Sequence, residues 1–186
     1  MVRRLDRRLL RHLGFGRVPE VELTPADWRP AAAVLDRALA LHVVLAVVGG
    51  LDATTAIALL DGLDVREALQ PDEAEYLDDV AEGIRVTDAL RATEAEALAA
   101  LAWALGLGDL PPGEPHPVAA LPDRLDGEPA LRSEAELDDA RELYAAMVAV
   151  LGLDPDLEVG HALGPYDPYV ARQRHRALEW VAGAPW

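Results

Sequence analysis

Hydrophobic residues follow a helical spacing along most of the chain, and one stretch is apolar on every side. From Ala38 to Val48 the only polar side chain is His42. A helix that is hydrophobic all round has to be covered all round by other elements. The pattern therefore predicts a long central helix over about 30–48, ended by the Gly-Gly pair that follows it, with the other helices as its cover.

Amphipathic spacing and capping residues predict further helices on both sides of this one. Their apolar positions recur three or four residues apart, and several begin at a residue suited to capping. Ser133 and Glu136 form a Ser-x-x-Glu capping box that opens a long helix to about residue 151. Thr24-Pro25 predicts the start of a short helical turn before Pro30. The remaining predicted helices cover residues 2–13, 53–61, 71–82, 87–105 and 168–182.

Two stretches rich in Pro and Gly, residues 106–130 and 152–167, interrupt the helices and are predicted to be long loops. No strand is predicted, because Ala and Leu dominate the apolar residues and favour helix. We expect an all-α, single-domain helical bundle around the central helix. Its parts are a basic amphipathic N-terminal helix (1–17), a helical core (24–107), the Pro-rich loop (106–130) and a C-terminal helix pair (131–186).

The composition excludes several kinds of chemistry. Without Cys the chain has no disulfide framework, zinc–thiolate site or thiol nucleophile, and without Lys it has no Schiff base or P-loop lysine. Ser133 is the only serine, and it stands at a helix cap and not in a nucleophile motif. The five His residues lack the spacing of metal ligands. We therefore expect no metal and no cofactor, and we assign no catalytic residue.

Charge is unevenly distributed along the chain. The net charge is −16; residues 1–17 carry +5, residues 18–163 carry −22, and residues 164–186 carry +1. So acidic a body repels nucleic acid and anionic membranes and favours a basic protein or peptide partner. The arginines of 1–17 surround a Leu stripe, which predicts docking on the core beside carboxylates, or else on a membrane surface.

We expect neither a membrane span nor a secretory signal, and therefore a cytoplasmic protein. The longest apolar run is interrupted by His42, and the N-terminus has no apolar signal region. The predicted helix 71–82 carries many carboxylates, which we interpret as a solvated outer face because a metal would need a tighter cage. These residues are Asp72, Glu73, Glu75, Asp78, Asp79 and Glu82.

The last predicted helix carries the densest candidate chemistry. Arg174 is one turn from both Val170 and Leu178, so it lies within the apolar stripe, and His175 lies at the stripe's edge. A buried Arg needs carboxylates or carbonyls as partners. The expected partners, on the preceding long helix, are Asp138, Asp139 and Glu142.

Two interpretations of this region remain open. In one, Arg174 forms a structural clamp between two helices. In the other, an anion or polar substrate binds a pocket between the last two long helices. That candidate pocket is lined by Asp139, Tyr144, Arg174, His175 and Trp180. Ser133, Glu136 and His42 are expected to be structural, with His42 as a hydrogen-bonded core histidine.

Four segments occur in an order that resembles one protein family: RALALHVVLAVV (37–48), EALAALAWALGLGDLPP (96–112), LRSEAELDDARELY (131–144) and RHRALEW (174–180). The chain resembles an uncharacterised bacterial family catalogued as a domain of unknown function, the four-thousand-two-hundred-seventy-second in its series. The resemblance covers about residues 30–182. It implies an α-helical, cytoplasmic bacterial protein with no established reaction.

The resemblance also marks positions characteristic of the family. In this chain they are Arg132, Ser133, Asp139, Tyr144, Arg174, His175, Arg176 and Trp180. Members of the family usually have Asn where this chain has Glu179, and aromatic and His residues where this chain has Ala145 to Met147. A polar site shared by the family would therefore be altered here.

The leading functional hypothesis is a small acidic interaction protein, either a regulator or an immunity-type inhibitor of a basic partner. The acidic body, the lack of nucleophiles and the all-helical build favour it. The alternative is an enzyme or small-molecule binder that uses the Arg/His/Asp pocket. A third hypothesis is a helical scaffold that forms a homodimer through Ala-rich faces.

Overall fold

The computed structural model describes residues 21–84, 86, 91, 93–110, 128–153 and 168–186. These residues are all-helical and contain no strand, which confirms the predicted fold class. The predicted helix 1–17, the start of the helix predicted at 87, and most of both predicted loops lie outside the described residues. The helices are α1 (Ala31–Val48), α2 (Ala53–Gly62), α3 (Pro71–Ala81), α4 (Ala95–Ala104), α5 (Glu134–Leu153) and α6 (Pro168–Val181), with a 3₁₀ turn at Arg66–Ala68.

Helix α1 lies between two hydrophobic clusters, as its apolar circumference predicted. One face, with Val34, Ala38, Leu41 and Leu45, packs against α4 and belongs to a hydrophobic cluster that also includes residues of α5 and α6. The opposite face packs against α2, α3 and the 3₁₀ turn. Most of the α1 side chains that enter these clusters are fully buried, and their removal from water stabilises the fold.

By length and hydropathy, α1 does reach the lower limit for a membrane span, which we did not expect from the sequence. It has 18 residues with a mean hydropathy of 2.0, and half of them are buried inside the protein. Helices cover it on two opposite faces. This burial is typical of a core helix, and among the described residues no other helix reaches the same length and hydropathy.

The short helical turn predicted after Thr24 is wrong, because residues 21–30 contain no helix. The backbone here pairs with the end of α6 instead: the Asp27 N–H donates to the Ala182 carbonyl, and the Arg29 N–H donates to the Val181 carbonyl, both at 2.9 Å. These bonds satisfy carbonyls that a helix end leaves unpaired, and they outweigh a single isolated turn. We call residues 21–30 the leading segment.

Two arginines complete helix C-termini. Arg29 Nε donates to the Trp180 carbonyl at the end of α6 (2.8 Å), and Arg132 Nε donates to the Trp103 carbonyl at the end of α4 (2.8 Å). A cation at a helix C-terminus satisfies carbonyl groups and interacts favourably with the helix dipole. These bonds fix the leading segment to the end of α6 and the start of α5 to the end of α4.

The predicted capping box is confirmed at the start of α5. The Ser133 N–H donates to Glu136 Oε2 at 3.1 Å, and the Glu136 N–H donates to Ser133 Oγ at 3.4 Å. The predicted cap of α2 is also present, since Asp52 Oδ2 accepts from the Thr55 N–H at 2.8 Å. Local sequence rules therefore located these helix starts correctly.

Candidate functional site

Arg174 is fully buried, and its described partners are on α4 and α5. Its Nε and Nη2 contact Glu96 Oε2 at 2.9 and 2.8 Å, and its Nη1 donates to the Tyr144 hydroxyl at 2.9 Å. Glu96 lies in the first turn of α4 and is itself buried. The arrangement joins three helices through one guanidinium, whereas the clamp interpretation expected a connection between two helices.

The carboxylates expected to pair with Arg174 lie elsewhere. Asp138 contacts Arg141 one turn away on α5 at 3.1 Å, and Asp139 and Glu142 line a cavity on the outer side of that helix. Tyr144 and Trp180 are buried with Arg174 in the hydrophobic core. Of the five residues of the predicted pocket, Tyr144, Arg174 and Trp180 therefore lie in the interior, Asp139 lines this cavity, and His175 lines a smaller one.

A second buried ion pair was missed by sequence reasoning. Glu73 was assigned to the solvated face of its helix, but it is fully buried and accepts two hydrogen bonds of 2.6 Å from Arg37 of α1. Glu73 Oε2 also accepts from the Gln70 N–H at 2.9 Å, which caps α3. Charge-assisted bidentate contacts of this kind are short and strong.

The sequence contains a weak indication that Glu73 and Glu96, the two carboxylates in the buried ion pairs, are not ordinary surface residues. Glu96 is the single charged residue in the first turns of an otherwise apolar helix, and Glu73 stands three residues after a helix N-cap position. The central helix has two charged residues, Asp36 and Arg37, of which Asp36 is exposed and Arg37 is buried. An isolated charge in an apolar segment indicates a buried partner, although it does not say which one.

A further ionic group extends from the Arg37–Glu73 pair. Glu94 contacts Arg176 at 3.3 Å and Arg91 at 3.4 Å. Burial, and then the charge of Glu73, raise the pKa of Glu94 above its ordinary value. Arg37 and Arg176 both lie over the Trp186 ring, at 4.0 and 4.6 Å from its centroid.

All four tryptophans have an arginine over the ring. Besides Trp186, the pairs are Trp28 with Arg141, Trp103 with Arg132, and Trp180 with Arg29, at 4.5 to 5.5 Å. A guanidinium stacks favourably on an aromatic face and can still donate hydrogen bonds at its edge. The arginines therefore serve mainly as internal connections between helices and loops.

An open feature of the described surface is a cleft between the leading segment and α5. Its larger part is a cavity of about 950 Å³, lined by residues 21–26 together with Asp138, Asp139, Arg141 and Glu142. A smaller part of about 300 Å³ shares residues 21–24 and continues to His175 and Glu179 of α6. We refer to both parts together as the cleft.

Arg141 forms the floor of the cleft. Its Nε and Nη2 contact the two carboxylate oxygens of Glu179 at 3.0 and 3.1 Å, and Nη2 also donates to the Thr24 carbonyl at 3.1 Å. Its side chain is almost fully buried, whereas Glu179 and Asp138 remain partly exposed. The contact with Thr24 holds the leading segment against α5.

His175 lines the smaller part of the cleft. Its Nδ1 is buried and has no hydrogen-bond partner among the described residues. Burial lowers the pKa of His175, and Arg141 acts in the same direction, while Glu179 opposes them. The lining of the cleft therefore combines the His175 imidazole, whose lowered pKa disfavours its protonated form, with several carboxylates.

The residues predicted to be structural have different surroundings. Ser133 and Glu136 form the helix cap described above. His42, expected to be a hydrogen-bonded core histidine, lies half-buried on α1, and its Nδ1 has no hydrogen-bond partner among the described residues. In the described part of the chain, no group of three or more His, Asp or Glu side chains is placed to hold a metal ion.

Comparison with known proteins gives a family but no activity. No curated protein and no solved structure matches the chain. The family described as Domain of unknown function (DUF4272) matches residues 16–186, which include every described helix and both parts of the cleft. The chain therefore belongs to the DUF4272 family, whose function is unknown.

Proposed function

We propose that this protein is a cytoplasmic interaction module that binds a basic protein or peptide partner through its anionic surface. One observation supports this proposal above all: most of the described arginines are buried or half-buried, whereas most of the described carboxylates are exposed. Among the described arginines, only Arg66 and Arg172 are classed as exposed. The others are buried or half-buried against carboxylates, carbonyls and aromatic rings.

The exposed carboxylates are distributed over most of the described surface. They occupy the outer face of α3, the rim of the cleft and several helix ends. Examples on α3 and beside it are Asp72, Glu75, Asp78 and Glu82, and examples at the cleft are Glu22 and Asp138. Among the described residues only Arg66 and Arg172 are exposed cations, and the net charge of the chain is −16, which favours a negative potential at this surface.

This distribution has a consequence for association. An extended surface potential attracts an oppositely charged partner over about a Debye length, roughly 8–10 Å at physiological salt, and raises the rate of encounter. It also repels partners of like charge. A basic regulator target, or a basic toxin-like protein neutralised by this chain, has the required chemistry.

The test is capture of partners from the host lysate at low and moderate salt, followed by titration of the purified partner. We expect a basic partner in stoichiometric amount, with a dissociation constant that rises steeply as salt increases, because salt screens complementary surfaces. An acidic partner, or a salt-independent dissociation constant, would contradict the proposal.

A second candidate function is supported by the unpartnered Nδ1 of His175 beside the smaller cavity. A polar small molecule that donates a hydrogen bond to this atom would satisfy a buried acceptor that has no partner among the described residues. Thermal-shift screening of wild type and His175→Asn tests it. A ligand that raises the melting temperature of both proteins equally would rule out a role for His175.

A further inference from the structure

The solvent-facing side of α2 carries no charged side chain between the N-cap and the last turn of the helix. Its exposed residues are Thr54, Thr55, Ala58 and Leu59, and the exposed Leu63 follows at the C-cap. A helix at a protein surface ordinarily turns charged residues to water, as α3 does with its carboxylates. We call these five residues the α2 face.

Leu59 and Leu63 form the apolar part of the α2 face. They lie about one helical turn apart, and they are 45% and 48% exposed. Two large aliphatic side chains at neighbouring turns leave apolar surface in contact with water, and a partner that covers both of them removes this surface from water. The α2 face therefore offers apolar contact area.

Carboxylates border the α2 face at its C-terminal end. Asp61, Asp64 and Glu67 are all exposed, and Arg66 offsets one of them by pairing with Asp61 at 3.2 Å. Among the described residues, neither the Asp64 nor the Glu67 side chain has an ion-pair partner. Helix α2 also has no basic residue in its last turn to balance the negative end of the helix dipole. This end of the face therefore attracts a cation from a partner.

The shape of the α2 face favours a helical partner. The backbone groups of α2 are paired within the helix, so the face has no free edge to which an extended peptide can add as a strand. A second helix satisfies its own backbone and can pack side chains of successive turns against Leu59 and Leu63. Helix α2 has 10 residues. It therefore accommodates about three turns of a partner helix, roughly 15 Å.

We infer that the α2 face is the docking surface for the basic partner, which presents an amphipathic helix. The apolar side of that helix covers Leu59 and Leu63, and its Lys or Arg residues face Asp64 and Glu67. This inference rests on the proposed function, for which it names the surface and the partner's chemistry. A second copy of this chain fits less well, because pairing two α2 faces brings like charges together.

The probe is a fluorescent synthetic helix of Leu and Lys, about 14 residues or four turns long, with its leucines on one side. The matched peptide has Gln in place of Leu, so its charge is the same but it has no apolar side. Binding to the full chain is followed by fluorescence anisotropy. We expect the Leu–Lys peptide to bind at least about tenfold more tightly, because only this peptide buries apolar surface.

A first pair of substitutions, Leu59→Ala with Leu63→Ala, tests the apolar part of the face. Both residues are exposed, so the fold should be retained, and circular dichroism checks this. We expect the affinity for the Leu–Lys peptide to fall about tenfold. The control pair, Ile84→Ala with Val86→Ala, removes two other exposed apolar side chains beyond the C-terminal end of α3, and it should change the affinity by less than about twofold.

A second pair of substitutions, Asp64→Asn with Glu67→Gln, tests the carboxylates. We expect the affinity to fall about fivefold at low salt, and the difference from wild type to shrink as salt rises. The control pair, Glu128→Gln with Glu134→Gln, changes the net charge equally at exposed positions before and at the start of α5. It should leave the affinity close to that of wild type.

Asp64→Gly separates binding from folding. Asp64 has φ +58°, in the left-handed region where Gly is the favoured residue after a helix. The substitution should therefore raise the melting temperature while it weakens binding of the Leu–Lys peptide. A higher melting temperature with undiminished affinity would show that the Asp64 carboxylate does not contact the partner, against the inference.

Equal affinity for the two peptides, or equal losses with a test pair and its control pair, would overturn the inference. So would a sedimentation coefficient that rises with concentration and ceases to do so in Leu59→Ala with Leu63→Ala, because that result assigns the face to a second copy. The proposed function is judged separately. A captured basic partner that binds the leucine variant as tightly as wild type would refute the docking surface and leave the proposed function standing.

Discussion

Arg174 and Arg141 lie on the adjacent helices α6 and α5, and both guanidinium groups are buried, but their carboxylate partners differ in exposure. Glu96, the partner of Arg174, is 9% exposed. The partners of Arg141 are 23% exposed for Glu179 and 53% exposed for Asp138. One pair is closed off from water and the other is open to it.

This difference separates structural from functional use of the same residue types. A carboxylate enclosed with its arginine is neutralised, and its main effect is to fix the packing of helices. A carboxylate that keeps contact with water contributes to the surface potential and can respond to an incoming cation. The interior pairs therefore contribute mainly to the packing of the helices, whereas the carboxylates beside Arg141 in the cleft keep contact with solvent.

The largest effect is expected from Arg174→Ala. It leaves the Glu96 carboxylate buried without its cation, and we expect a loss of roughly 3–5 kcal/mol in the free energy of unfolding, measured by urea denaturation. Arg66→Ala is the control, because the Arg66–Asp61 pair is more than half exposed on both sides and is expected to contribute at most about 0.5 kcal/mol. An Arg174→Ala protein with unchanged stability would contradict the clamp and favour a ligand site.

Arg141→Ala should lower the free energy of unfolding by about 2–3 kcal/mol, which is less than for Arg174→Ala. The reason is that water can reach the Asp138 and Glu179 carboxylates after they lose their cationic partner. The same substitution removes the bond to the Thr24 carbonyl, so the leading segment should exchange amide hydrogens faster from residue 21 to 26. Hydrogen exchange measured by mass spectrometry checks this prediction for the leading segment. A cost equal to that of Arg174→Ala would remove the distinction between closed and open pairs.

Gly183→Ala should have the next largest effect, a loss of roughly 1–2 kcal/mol in the free energy of unfolding. Gly183 has φ +101°, and a Cβ atom placed there would lie 2.8 Å from the Asp27 carbonyl oxygen. The substitution should push the leading segment away from the end of α6. Gly62→Ala is the matched control, since a Cβ there meets nothing within 4 Å and the backbone has no positive φ.

The smallest expected effect is the pH dependence caused by His175. Its pKa is lowered in the folded state, so the unfolded state binds the proton more readily and stability falls as pH drops below the ordinary value of 6.5. His175→Gln should flatten the dependence of the unfolding free energy on pH in this range. An unchanged pH profile would show that the ring is solvated and not enclosed by the cleft.

Several features could be predicted from the sequence because they depend on local rules. The apolar circumference of residues 38–48 predicted a helix covered on opposite faces, and two hydrophobic clusters do flank α1. The capping box at Ser133 and the stop at Gly49 follow from backbone groups that every helix end leaves unpaired. That Arg174 points inward followed from its position in the apolar stripe.

The partner of Arg174 could not be predicted in the same way. Asp138, Asp139 and Glu142 were the nearest carboxylates on the expected neighbouring helix, but Glu96 reaches Arg174 from α4, 78 positions earlier in the chain. Glu73 was assigned to the surface because it shares a helix with exposed acids. Both errors arise because spacing shows which face of a helix a residue occupies but not which helix lies opposite.

The sequence by itself determined the helices, their ends, the burial of α1 and the excess of negative charge, since these depend on neighbouring residues and on composition. Only the tertiary structure decided which arginine meets which carboxylate, where the leading segment pairs with α6, and that a cleft remains beside α5. The physical reason is range: helix formation and capping act over about four residues. Ion pairs and cavities depend on how distant helices pack in three dimensions.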